Sequence, residues 1–145
     1  MVSKKWIIPV LWMTTIGIIL VGLTWILYVG IYLSIESLWY KDNPQGFPAD
    51  QLRLYSSLCL LVLYIGSLKY LKRPLIKSIL LIPATCMILI TVILRYYDRL
   101  IIGVPVLIIL LLMECYLLYR FKQPWMMYYA SLYAGLIALL YAWPR

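Results

Sequence analysis

Thirty consecutive residues, Trp6 to Ile35, carry no formal charge, and four further apolar runs of about twenty residues follow. A soluble domain of 145 residues cannot hide that much apolar surface. A hydrocarbon core about 30 Å thick needs about 20 apolar helical residues at 1.5 Å each. The pattern therefore predicts an all-α polytopic membrane protein with five transmembrane helices. The spans fall near residues 6–35, 52–70, 74–95, 99–119 and 124–143, and residues 1–145 form one integral membrane domain. Segment one exceeds an upright crossing and has to tilt or project. It is also too long for a secretory leader's apolar region of about 7–15 residues, so it reads as a retained helix.

Charge sits in the gaps and sets the expected orientation. Lys4, Lys5, Lys69, Lys72, Arg73, Lys77, Arg120 and Lys122 gather on one side. Lys41, Arg53, Arg95, Arg99 and Arg145 lie on the other, with Glu36, Asp42, Asp50 and Asp98. Cationic excess marks the cytoplasmic side, which places the N-terminus inside and the C-terminus outside. The expected location is the bacterial cytoplasmic membrane. Trp6, Tyr70, Tyr119 and Trp125 fall at the predicted inner ends, and Trp39, Tyr40, Tyr96, Tyr97 and Trp143 at the outer ends. Headgroup-level aromatics of this kind agree with the cation asymmetry.

Prolines punctuate the same scheme. Pro74 and Pro124 suit the first turn of an outgoing helix, whereas Pro83 and Pro105 fall within spans and free the carbonyls of Ile79 and Ile101. The two cytoplasmic turns are fifty residues apart, and ungapped alignment pairs Lys72 with Lys122, Ala84 with Ala134 and Arg95 with Arg145. In so biased a composition, common topology rules account for this as well as an ancestral hairpin repeat does. On the outer side, Asn43-Pro44-Gln45-Gly46 reads as a turn and Asp50 as the N-cap of segment two.

The chain has no histidine, and Cys59, Cys86 and Cys115 lie in separate apolar segments. That composition leaves out histidine-based haem, zinc and nucleophile sites. The cysteines read as small apolar residues, and no metal or cofactor is expected. No motif carries a resemblance to a particular family.

Glu114 is the one acidic residue inside an apolar span, six residues from Arg120 and so about 9 Å from the inner end. Intramembrane carboxyl groups face bundle interiors and serve as proton relays, ion ligands or charge partners. Arg120, Lys122 and Lys77 are candidate counter-charges. Tyr64, Ser78 and Tyr129 come to similar depth, which makes Glu114, Tyr64 and Tyr129 the ion or proton candidates. The dense run Lys69, Lys72, Arg73 and Lys77 suits a lipid headgroup or an acidic partner, since each base near an anionic surface is worth about 1 kcal/mol. On segment five Ala130, Ala134, Ala138 and Ala142 recur every four residues, with Ser131 and Gly135 beside them. Small residues so spaced let helix backbones approach closely, against another helix of the chain or another subunit. Thr14, Gly17, Val21 and Thr24 form a weaker face on segment one.

Three functions are compatible with these features. The first is a non-catalytic integral subunit or assembly partner of a membrane complex, favoured by the scarcity of polar residues within the spans. Its expected partners are the bilayer, an anionic lipid, and another membrane subunit or a second copy, not nucleic acid. The second is a small oligomeric transporter or channel using Glu114. The third is a lipid-modifying membrane enzyme, the weakest because one carboxyl group without a nucleophile or metal partner is a thin site.

Overall fold

The computed structural model describes residues 4–42 and 46–141. Asn43, Pro44 and Gln45 of the expected turn, together with Ala142, Trp143 and Arg145, lie outside the described residues. Five helices follow one another: α1 (Lys4–Trp39), α2 (Ala49–Leu68), α3 (Pro74–Arg95), α4 (Leu100–Arg120) and α5 (Trp125–Tyr141). A single 3-10 turn, Tyr97–Arg99, joins α3 to α4. Among the described residues there is no strand. Helices α1 to α4 are each long and apolar enough to cross a membrane, and the described part of α5, 17 residues, is apolar but shorter.

Local chemistry explains most boundaries. Arg73 is extended (φ −83°, ψ 125°), as a residue preceding proline tends to be, and Pro74 then opens α3 without losing a helical hydrogen bond. At the end of α4, Lys122 takes a left-handed backbone with φ 49°. The Gln123 N–H donates to the Leu118 carbonyl and the Lys122 N–H to that of Tyr119, both at 3.0 Å. This is the paired closure that usually recruits glycine. The start of α2 differs from expectation. Pro48 takes the capping position without a side-chain bond, and Asp50 lies one residue inside the helix, where its carboxylate pairs with Arg53 one turn on. Proline at 48 begins the helix earlier than polarity suggests, and an acid in the first turn still complements the helix dipole. Pro83 and Pro105 both sit within unbroken helices, Pro83 buried and Pro105 exposed.

Helix α3 is the hub. It touches all four other helices, most extensively α5, then α2, α1 and α4. Within the apolar windows, 72% of α3 is buried, against 11% of α1, 11% of α2 and 17% of α4. Its sequence explains the position. The helix has no aromatic side chain, and it buries Ser78, Ala84, Thr85, Cys86 and Thr91, small groups that admit neighbours on several sides. Thr91 and Ser78 donate to the carbonyls of Met87 and Pro74, so their hydroxyls are satisfied within the helix.

Helices α1 and α5 run parallel, because Trp6 stacks near Trp125 (4.7 Å) and Trp25 near Tyr141 (4.9 Å). Between these contacts, Tyr129 and Tyr133 lie 5.9 Å apart in nearly parallel planes. Tyr129 hydroxyl meets Thr14 Oγ1 at 3.0 Å, and Tyr133 hydroxyl donates to the Thr14 carbonyl. On the α3 side of α1, Met13, Gly17 and Val21 are buried one turn apart. A Cβ at Gly17 would come within 2.7 Å of Ile82 Cδ1, so glycine sets the closeness of that approach. Helix α1, about 54 Å long at 1.5 Å per residue, continues past Trp25, and Tyr32 packs edge-on against Phe47.

Candidate functional site

The inward face of α4 carries Gly103, Leu107, Glu114 and Leu118 at helical spacing, and three of the four are buried apolar positions. Glu114, half-buried, is the exception in chemistry. Thr85 of α3 and Ser131 of α5 both donate their hydroxyls to its Oε1, each at 2.8 Å. One carboxyl oxygen thus joins three helices. The two donors are themselves buried, Thr85 at 6% exposure and Ser131 at 0%. Among the described residues no donor meets Oε2.

The neighbours of Glu114 differ from those expected. Arg120, Lys122 and Lys77 form no ion pair with it, and the ion pair among the described residues is Arg53 with Asp50. Ser78 donates within its own helix, and Tyr129 turns to α1. Counting residues from the membrane edge gives height but not direction around a helix. Tyr129 and Ser131 differ by about 200° at 100° per residue, so one faces α1 when the other faces α4. Thr85 lies two helical turns beyond Ser78 on the same side of α3. An uncharged polar residue beside Pro83, in a span with few others, is the available signal for it.

Tyr64 occupies the buried side of α2. Its hydroxyl is buried without a hydrogen-bond partner. The remaining sequence candidates lie elsewhere. Lys69, Lys72 and Arg73 are exposed or nearly so, and Lys77 is half-buried at the α2–α3 turn. None of these four bases meets an acid. Ala130, Ala134 and Ala138 are fully buried and Gly135 is buried, all on the side of α5 covered by the chain's own helices. Gly135 faces Leu111, whose Cδ1 would lie 2.9 Å from an added Cβ.

Chemically, the arrangement is a polar clasp within an apolar bundle. It holds α3, α4 and α5 in register through one acceptor oxygen and leaves the other oxygen for a further donor. No group of three or more potential metal-ligating side chains occurs among the described residues. Comparison with protein-family models, with curated proteins and with solved structures returned no match.

Proposed function

We propose that this chain is a non-catalytic integral membrane subunit, an assembly partner within a larger membrane complex. The observation that carries the reading is an incomplete shell around the hub helix. Helices α2, α1, α5 and α4 follow one another around α3 through direct contacts, whereas α2 and α4 scarcely touch. The polar groups within the spans are spent on joining helices, as with Glu114 and Thr14, which suits a scaffold better than a reaction chamber. Native mass spectrometry of the chain extracted in mild detergent from its own host tests the reading. A stoichiometric complex with a different membrane protein is the expected result. A chain found alone, or only with copies of itself, would overturn it.

The proposed placement is five crossings of the bacterial cytoplasmic membrane, with the N-terminus inside and the C-terminus outside. Eight bases on one side against five on the other support it, and so does the parallel course of α1 and α5. Cysteine at Lys41 should react with a membrane-impermeant maleimide on intact cells, and cysteine at Lys72 only after lysis. The reverse pattern would invert the orientation.

The unmet Oε2 of Glu114 favours one second reading, a small oligomeric transporter or channel in which this carboxyl group binds a proton or cation. Proton or cation uptake into vesicles by the purified chain, lost in Glu114→Gln, would select that reading over the subunit.

A further inference from the structure

We infer that the end of the bundle where α1, α3 and α5 begin binds anionic phospholipid headgroups, with the α2–α3 turn as the centre of the site. Contacts between helices fix which residues share this end. Thr85 and Ser131 both meet Glu114, Tyr96 faces Gly103 and Leu111 faces Gly135, so α4 runs opposite to α3 and α5. Helix α1 runs with α5, and the short turn 69–73 brings the end of α2 to the same place. Eight of the chain's thirteen bases therefore gather here with none of its five acids, Glu114 lying within a span. The opposite end holds five bases and four acids. Half of the eight, Lys69, Lys72, Arg73 and Lys77, fall within nine residues. The first three are exposed and Lys77 is half-buried.

Depth and chemistry together select the ligand. Thr85, Glu114 and Ser131 stand at one level, because they share one oxygen. Arg120, Lys77 and Pro74 lie six, eight and eleven residues from it, or about 9, 12 and 16 Å at helical rise. The bases thus occupy a layer about 7 Å thick at the end of the apolar spans. The headgroup region of one leaflet is about 5–8 Å thick, so this is the layer that lipid phosphates fill. Exposed aromatic rings alternate with the bases. Tyr70 follows Lys69, and Tyr119 and Phe121 flank Arg120, at 82%, 74% and 67% exposed. Such rings rest where headgroups meet acyl chains. A phospholipid matches both sets of side chains, phosphate to base and glycerol backbone to ring, whereas an acidic soluble protein approaches from water and meets the outer bases alone. Among the described residues no acid pairs with Lys69, Lys72 or Arg73, so their charge is open to a ligand.

Titration calorimetry on the full chain in neutral maltoside micelles, with dioleoyl phosphatidylglycerol or dioleoyl phosphatidylcholine as the added lipid, tests the inference. Phosphatidylglycerol should bind about a hundredfold more tightly, since bases near an anionic surface act together. Joint substitution Lys69→Gln, Lys72→Gln and Arg73→Gln should remove that preference. Taking the same charge from the opposite end, by Lys41→Gln, Arg95→Gln and Arg99→Gln, should change binding by less than about threefold. All six side chains are exposed, so unchanged melting temperatures verify the fold. Salt at 0.5 M on the unaltered chain gives an independent reading, because screening beyond about 4 Å should abolish the preference at an exposed patch. Equal binding of the two lipids, equal loss from both triple variants, or a preference that survives salt would overturn the inference. Glycerol 3-phosphate that displaces the lipid at equal concentration would assign the site to a free phosphate, and polyglutamate that binds more tightly than the lipid would assign it to an acidic protein. Either result overturns it as well.

Discussion

Ala134→Leu should destabilise the folded bundle by about 3 kcal/mol, the upper part of the usual range for overpacking a filled core. Ala134 is fully buried on the face of α5 that meets the hub. The core there has no slack, because α3, the helix α5 packs against most extensively, has Ile82, Met87 and Ile90 almost wholly enclosed. Three added carbons therefore push two backbones apart along a stripe that Ala130 and Ala138 share. Lipid offers no hydrophobic drive to restore the contact, since tails are as apolar as leucine, and close packing supplies the association energy. Equilibrium unfolding in mixed micelles measures the change. Leu132→Ala, on the exposed side of α5, is the matched control and should shift stability by no more than about 0.5 kcal/mol. Equal effects at both positions would mean that this face is not where α5 is held.

Glu114→Leu should cost about 1–2 kcal/mol, and Glu114→Gln much less. Interhelical hydrogen bonds in membranes average about 0.6 kcal/mol and reach about 1.7, and Glu114 makes two of them. Glutamine keeps the acceptor oxygen and leucine removes it. The loss is bounded because Thr85 and Ser131 can turn back to carbonyls of their own helices, as Thr91 and Ser78 do. A mutant cycle separates these contributions. Thr85→Val and Ser131→Ala should each cost stability when Glu114 is present and become nearly silent in the Glu114→Leu background. Additive losses would show that the hydroxyls and the carboxyl group do not act as one unit.

Individual residues show how far sequence reasoning reaches. The start of α3 is legible to the residue, since proline after two bases admits a helix start and little else. Asp50 has the chemistry of a cap but not its place, because Pro48 takes the capping position first. Glu114 stands out by chemistry alone, yet its donors do not, because height along a helix is a one-dimensional count and contact depends on rotation as well. Ser131 is visible in the sequence only as one member of a small-residue face. Its neighbour two positions away, Tyr129, serves a different helix altogether.

Apolar length, the helix-breaking residues and the placement of charge needed only the linear chain, because each reflects the cost of exposing backbone or charge to hydrocarbon one residue at a time. Those costs dictate helices, and lengths sufficient for four of them to cross. That α3 stands at the centre, that α5 lies parallel to α1, and that Thr85 and Ser131 close on one oxygen of Glu114 were decided by how five apolar cylinders pack. Several azimuths and neighbours satisfy the same apolar pattern, and only mutual fit of small residues, glycine contacts and hydroxyl partners selects among them.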